Sequence, residues 1–297
     1  MTARNAQQLL FSLALAALFG CGSSDSVVDD PCAGKSQEAG TREIVIQSGG
    51  RERRMVVEVP ESAVQGEPAP LVVLFHGALA TPEVILANTR FAEKGAEADF
   101  ITVAGAGIEN TWNGGGCCDP AAALGVDDVG FTRDMIETVS DELCIDPERV
   151  FATGFSNGGV MTYRLACEMA DVFSATAPVA SALLADCEPA RPAPILIIQN
   201  VEDPIAPFPL GPAGFNRFQI LHECSGTPVE SQPAANATCE TAQACTDEAT
   251  TELCAIGGIS HVWPGGATNP SGAYDATDQI WDFFAAQPPC ESCGTRS

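Results

Sequence analysis

Val150-Phe151-Ala152-Thr153-Gly154-Phe155-Ser156-Asn157-Gly158-Gly159-Val160 decides how this chain folds. Val150-Phe151-Ala152 is an apolar run that reads as a strand, and Val160-Met161-Thr162-Tyr163-Arg164-Leu165 reads as helical. Between them stands G-x-S-x-G. A serine on so sharp a strand-to-helix turn takes up a strained backbone, so the residues two before and two after must be small. The turn lifts the hydroxyl clear of the sheet and aims the start of the next helix at whatever the serine attacks. The competing reading is a Gly-rich turn that merely carries a serine. The strand before and the helix after weigh against it.

Outward from that turn, Leu71-Val72-Val73-Leu74-Phe75 and Ile195-Leu196-Ile197-Ile198 are continuous apolar runs, as strands buried on both faces are. Residues 42–60 read as a hairpin turning at Ser48-Gly49-Gly50. Pro82 to Glu97 reads as one helix, and 128–143 as an amphipathic helix with Phe131, Met135, Ile136, Val139 and Leu143 at helical spacing. Further helices are expected near 214–223 and 274–286, and strands at 101–103, 149–153, 175–179 and 251–256. Residues 106–126 read as a Gly-rich loop and 224–249 as a Cys/Thr-rich insert. Strands alternating with helices predict an α/β fold, a mostly parallel sheet with helices on both faces.

The length of 297 residues and the 45% hydrophobic content fit one α/β domain plus targeting sequence. A net charge of −25 repels phosphate backbones and anionic membrane surfaces, so no nucleic-acid partner is expected. Residues 1–20 read as a lipoprotein-type signal peptide: an apolar run from Leu9 to Phe19, too short to span a bilayer, precedes Cys21. Leu18-Phe19-Gly20-Cys21 resembles a bacterial lipobox, with Phe19 bulkier than usual; plain cleavage nearby is the alternative. Residues 21–40 read as a flexible acidic tether, 41–288 as the catalytic domain and 289–297 as a tail. Of 13 cysteines, 12 remain once Cys21 is assigned to lipid. An even number suggests a disulfide framework in an oxidising compartment, hence an extracytoplasmic location. A zinc site at Cys290-x-x-Cys293 lacks a second ligand pair.

A serine hydroxyl needs a base within hydrogen-bond reach, and imidazole, with an ordinary pKa of about 6.5, suits best. The chain has three histidines. His76, in His76-Gly77 at the end of the 71–75 run, reads as structural, shaping a turn that carries oxyanion-hole amides. His222 shares a helical face with Phe215 and Phe218 and reads as packed. His261 lies in Ser260-His261-Val262-Trp263-Pro264-Gly265-Gly266 and comes last, as the order Ser…Asp/Glu…His of α/β-hydrolases requires. The acid should follow a buried strand between them. Asp203 does so in Glu202-Asp203-Pro204, with Glu202 as the competing carboxylate. Asp127 and Asp128 are expected to cap or brace the helix at 128–143. The oxyanion hole is expected from the amides of Asn157 and Ala78. Trp112 and Trp263 are candidates to stack on a phenolic ring or sugar, with wall packing as the alternative.

Four ordered stretches carry a resemblance: Thr111-Trp112-Asn113-Gly114 with Cys117-Cys118; Val126-Asp127-Asp128-Val129-Gly130-Phe131; Gly154-Phe155-Ser156-Asn157-Gly158-Gly159; and His261-x-Trp263-Pro264-Gly265-Gly266. Together they resemble the extracellular esterases of bacteria and fungi, which include polyhydroxybutyrate-depolymerase-like and feruloyl-esterase-like enzymes. The resemblance runs from about residue 42 to 286 and implies an α/β-hydrolase fold with disulfide-bearing loops. It carries the triad onto Ser156, Asp203 and His261. It implies a serine carboxylesterase on feruloyl-type esters of plant cell-wall polysaccharide. The triad chemistry itself calls for no metal or organic cofactor, and membrane contact is expected only through the lipid anchor at Cys21. A polyester depolymerase and a peptidase are alternatives on the same triad; a non-catalytic lipid-anchored binding protein is one of another class. The chain departs from the family at Gln199-Asn200, where His-Gly is usual, and at Ser260, where Gly is usual.

Overall fold

The apolar runs become the middle of a ten-stranded sheet. The computed structural model describes residues 32–35, 38–64, 66–269 and 273–293, so the expected signal peptide and Cys21 lie outside the described residues. In chain order the strands are β1 (Gly40–Ser48), β2 (Arg51–Val59), β3 (Ala69–Phe75), β4 (Ile101–Gly105), β5 (Ile145–Phe155), β6 (Ala175–Val179), β7 (Ile195–Asn200), β8 (Gly226–Ala234), β9 (Ala237–Gln243) and β10 (Thr251–Ile256). Their order across the sheet is β1-β2-β4-β3-β5-β6-β7-β10-β9-β8. The stretch from β4 to β10 is parallel, and an antiparallel hairpin is added at each edge.

Alternation divides the strand side chains between two layers. Leu71, Val73 and Phe75 face α3 (Asp128–Glu142) and α4 (Asn157–Glu168), packing with Phe131, Met135, Met161 and Leu165. Val72 and Leu74 face α1 (Pro82–Thr89), α2 (Phe91–Ala98) and α6 (Ala276–Ala286), among Ile85, Phe91, Trp281 and Phe284. Helix α5 (Leu210–Leu221) packs Phe215 and Phe218 against Ile195, Ile197 and Leu253. Both faces are covered.

The hairpin of β1 and β2 turns on Gly49 and Gly50, both at positive φ, which suits the twist of a two-residue hairpin. Two expectations are corrected. The stretch Pro82 to Glu97 is two helices rather than one, because Arg90 adopts the left-handed region (φ 59°) and its amide closes α1 on Leu86 O. The turn brings Phe91 into the core against Phe100 and Trp263. The insert at 224–249 is not merely loop: β8 and β9 pair there, and Cys239 lies opposite Cys254 in β10, joined to it by a disulfide. The other disulfides are Cys32–Cys144, Cys117–Cys118, Cys167–Cys187, Cys224–Cys245 and Cys290–Cys293. Among the described residues no helix is long and apolar enough to cross a membrane.

Candidate active site

Parallel register aligns the carboxyl ends of the strands. Phe75 pairs with Gly154, Phe155 with Val179, and Asn200 with Ile256. The loops that follow β3, β5, β6, β7 and β10 therefore leave from one edge of the sheet, where open α/β sheets build their sites. Ser156, Asp203 and His261 sit on three of those loops.

Ser156 bridges β5 and α4 with φ 55° and ψ −120°, a conformation that costs a non-glycine residue about 1–3 kcal/mol. Its amide donates to Val179 O at 3.0 Å, and Val160 N donates to its carbonyl at 2.9 Å. The small flanking residues are required: a Cβ on Gly154 would lie 2.4 Å from Gly158 O, and one on Gly158 only 2.0 Å from Phe75 O.

His261 Nε2 lies 2.8 Å from Ser156 Oγ, and His261 Nδ1 lies 2.6 Å from Asp203 Oδ2. The carboxylate is fully buried while the imidazole stays 13% exposed. Asp203 Oδ1 accepts from the amides of Ile205 and Ala206, each at 2.8 Å. A carboxylate so surrounded is an acceptor only, so the proton between it and the ring sits on Nδ1, leaving Nε2 free to take one from the serine. Glu202, the competing carboxylate, is exposed and accepts from Gly258 N instead.

An apolar cavity of about 180 Å³ opens beside the serine, lined by Ala78, Ala80, Val84, Ile85, Phe155 and His261 among others. Asn157 is the first residue of α4, so its amide lies outside the helical hydrogen-bond ladder. Neither that amide nor the amide of Ala78 has an acceptor among the described residues.

No family model matches the chain. It is 32% identical over 203 residues to feruloyl esterase C of Emericella nidulans, across 65% of this chain and 67% of that one. The chain belongs to the feruloyl esterase family of α/β-hydrolases. It is also 30% identical over 234 residues to feruloyl esterase B of Piromyces equi, a match over 70% of this chain that spans only 42% of the relative's length. Acetyl xylan esterase from Aspergillus awamori superposes with a TM-score of 0.65 at 14% identity, covering 83% of this chain and 99% of that one; this likeness concerns the fold.

Other residues of this esterase-family chain take up supporting positions. His76 is wholly buried: Gly107 N donates to its Nε2 at 3.0 Å, so Nδ1 carries the proton and donates to Gly77 O at 2.8 Å. Burial lowers its pKa and keeps it neutral. His222, at the end of α5, is also buried, 2.7 Å from Thr251 Oγ1. Asp127 caps α3 by accepting from Gly130 N at 2.8 Å. Asp128 braces it through a buried ion pair with Arg53 at 2.7 Å and also accepts from Asn113 N.

The tryptophan expectation is corrected. Trp112 is fully buried, edge-on to Phe75 and donating from its indole to His76 O at 3.0 Å. Trp263 is fully buried too, against Phe91, with its indole N–H on Thr277 Oγ1. Neither ring has a face open to a ligand; both fasten loops of the site to the core. Sequence reasoning also missed the side chain of Asn157. It accepts from Trp112 N at 2.8 Å and donates to Trp112 O at 2.9 Å, matching one residue's backbone on both sides.

Among the described residues the one cluster of three possible metal ligands is Cys239, Glu252 and Cys254, and its two sulfurs are joined to each other. Cys290 and Cys293 likewise form a disulfide rather than half of a zinc site.

Proposed function

We propose that the protein is a serine carboxylesterase of an extracytoplasmic, oxidising compartment, hydrolysing feruloyl-type esters of plant cell-wall polysaccharide. The observation that carries this reading is the unbroken hydrogen-bonded line from Asp203 through His261 to Ser156, opening on the apolar cavity. Ser156 Oγ attacks the ester carbon as His261 Nε2 takes its proton, and the oxyanion rests on the amides of Asn157 and Ala78. Asp203 holds the imidazolium, which gives its proton to the leaving alcohol as the carbon–oxygen bond breaks. Water then repeats the sequence and frees the acid.

Two observations support a phenolic acyl group. The space beside Ser156, about 180 Å³ and mostly apolar, has room for an aromatic ring. The feruloyl esterases of Piromyces and Emericella are relatives whose names state that substrate. Six disulfides among the described residues support an oxidising compartment. Anchoring through a lipidated Cys21 is the finer part of the same proposal.

The test is a hydrolysis panel of methyl ferulate, acetylated xylan and short hydroxybutyrate oligomers, run on the full chain and on Ser156→Ala. Methyl ferulate should be turned over and the variant should lose activity by several orders of magnitude, ~10⁶-fold where such a nucleophile is removed. Turnover of the oligomers alone would move the reading to a polyester depolymerase. Folded protein that never reacts with a fluorophosphonate would be a binding protein instead.

A further inference from the structure

We propose that Gln199 and Asn200, the last two residues of β7, form an amide clamp that positions the base and the acid. The proposal rests on the reading of Ser156, Asp203 and His261 as a triad. Both residues are buried, at 1% and 0% exposure. Asn200 Nδ2 donates to Ser260 O at 2.7 Å and to Val262 O at 2.8 Å, the two carbonyls flanking His261. Two acceptors facing one end of the amide fix its orientation, since only the nitrogen can meet them. Its Oδ1 is then buried with no partner among the described residues. Leaving such an acceptor unmet is unfavourable, so a packing role alone gives no reason to keep an amide there. What the arrangement secures is the short loop that holds the imidazole 2.8 Å from Ser156 Oγ.

Gln199 acts on the acid side. Its Nε2 donates to Ala206 O at 2.6 Å while its Oε1 accepts from Ser181 N at 3.3 Å. The amide of Ala206 in turn donates to Asp203 Oδ1 at 2.8 Å. Gln199 thus ties the acid loop to the loop after β6, and through Ala206 it sets the orientation of the carboxylate. Helix α5 closes over this contact at Gly211, where a Cβ would lie 2.7 Å from Gln199 Cβ. Neither amide reaches the reacting atoms. Both are positioning residues, and loosening them misaligns proton transfer without touching the substrate cavity.

The experiment compares Asn200→Asp, Asn200→Ala, Asn200→Ser and Gln199→Glu with the unaltered chain and Ser156→Ala on p-nitrophenyl acetate, with Tm measured for each. Asn200→Asp keeps the shape and turns both donors into acceptors facing two carbonyls. It should lower kcat by about 10²-fold, the cost of a misplacement near 1 Å, with KM within about twofold. Asn200→Ala should do no worse, and Asn200→Ser, retaining one donor, should lie between it and the unaltered chain. Gln199→Glu should also lower kcat at constant KM. A space-filling role gives the opposite order, with Asn200→Asp near normal and Asn200→Ala most impaired; that result would overturn the clamp. Should Asn200→Asp fail to fold, normal kcat in both Asn200→Ser and Gln199→Glu would overturn it equally. Activity persisting in Ser156→Ala would sink the triad reading itself. An inactive Ser156→Ala beside normal clamp variants sinks the clamp alone.

Discussion

Ser156 keeps a positive φ only because its neighbours leave room for it. Gly158 is the tightest of them: a Cβ there would meet Phe75 O at 2.0 Å and His76 O at 2.6 Å, backbone atoms that cannot swing aside. Adding a methyl group must therefore part α4 from the end of β3, the same backbone that carries Ala78 toward the serine. Gly158→Ala is expected to lower the unfolding free energy by on the order of 3 kcal/mol, as overpacking against rigid surroundings does. Urea denaturation checks it; an unchanged midpoint with an unchanged slope would mean that the turn has slack. The requirement for small residues was legible in the spacing of Gly154, Ser156 and Gly158. The roles of the Asn157 and Asn200 side chains were not, because an amide's partners are backbone atoms from distant loops and leave no local pattern.

Elements were legible where burial imposes a period. The α3 helix runs Asp128–Glu142, within a residue of its reading, because its apolar positions face a single layer. The β8 strand escaped notice for the converse reason: most of Gly226–Ala234 is exposed, so nothing alternates, and pairing to β9 at the sheet edge holds it. The break at Arg90 had no glycine or proline to announce it. At the start of α3, Asp128 meets Arg53 from β2 and the Asn113 amide from the 106–126 loop, with the guanidinium 3.7 Å above the Phe131 ring. Three elements converge on one buried charge pair. Asp128→Ala would leave Arg53 charged and unmatched in the interior, which is expected to cost about 3–5 kcal/mol. Chemical denaturation of the variant measures it, and a loss under about 1 kcal/mol would mean water reaches the guanidinium.

At the scale of the whole molecule, pH acts on stability through groups that folding removes from water. His222 is wholly buried and its Nε2 has no partner among the described residues; burial, with the nearby charge of Arg191 adding to it, lowers its pKa from 6.5 to about 4. Burial lowers the pKa of His76 as well. The unfolded chain takes up these protons near pH 6.5, while folded His222 refuses its proton until about pH 4. Between those values the unfolded state binds more protons, so this contribution is complete above pH 6.5 and is lost as pH falls toward 4. For His222 it amounts to about 3 kcal/mol. Glu83, held at about 2 by Arg54, acts in the same direction, but only below its ordinary value of 4.5. The self-repulsion of a chain with net charge −25 runs the other way, since acidification relieves it. The difference between variants isolates the histidine better than any single curve does. His222→Gln, which keeps a polar contact for Thr251 and cannot titrate, should lose less stability than the unaltered chain between pH 7 and 4.5. Parallel stability curves for the two proteins over that interval would mean that His222 is protonated as readily folded as unfolded.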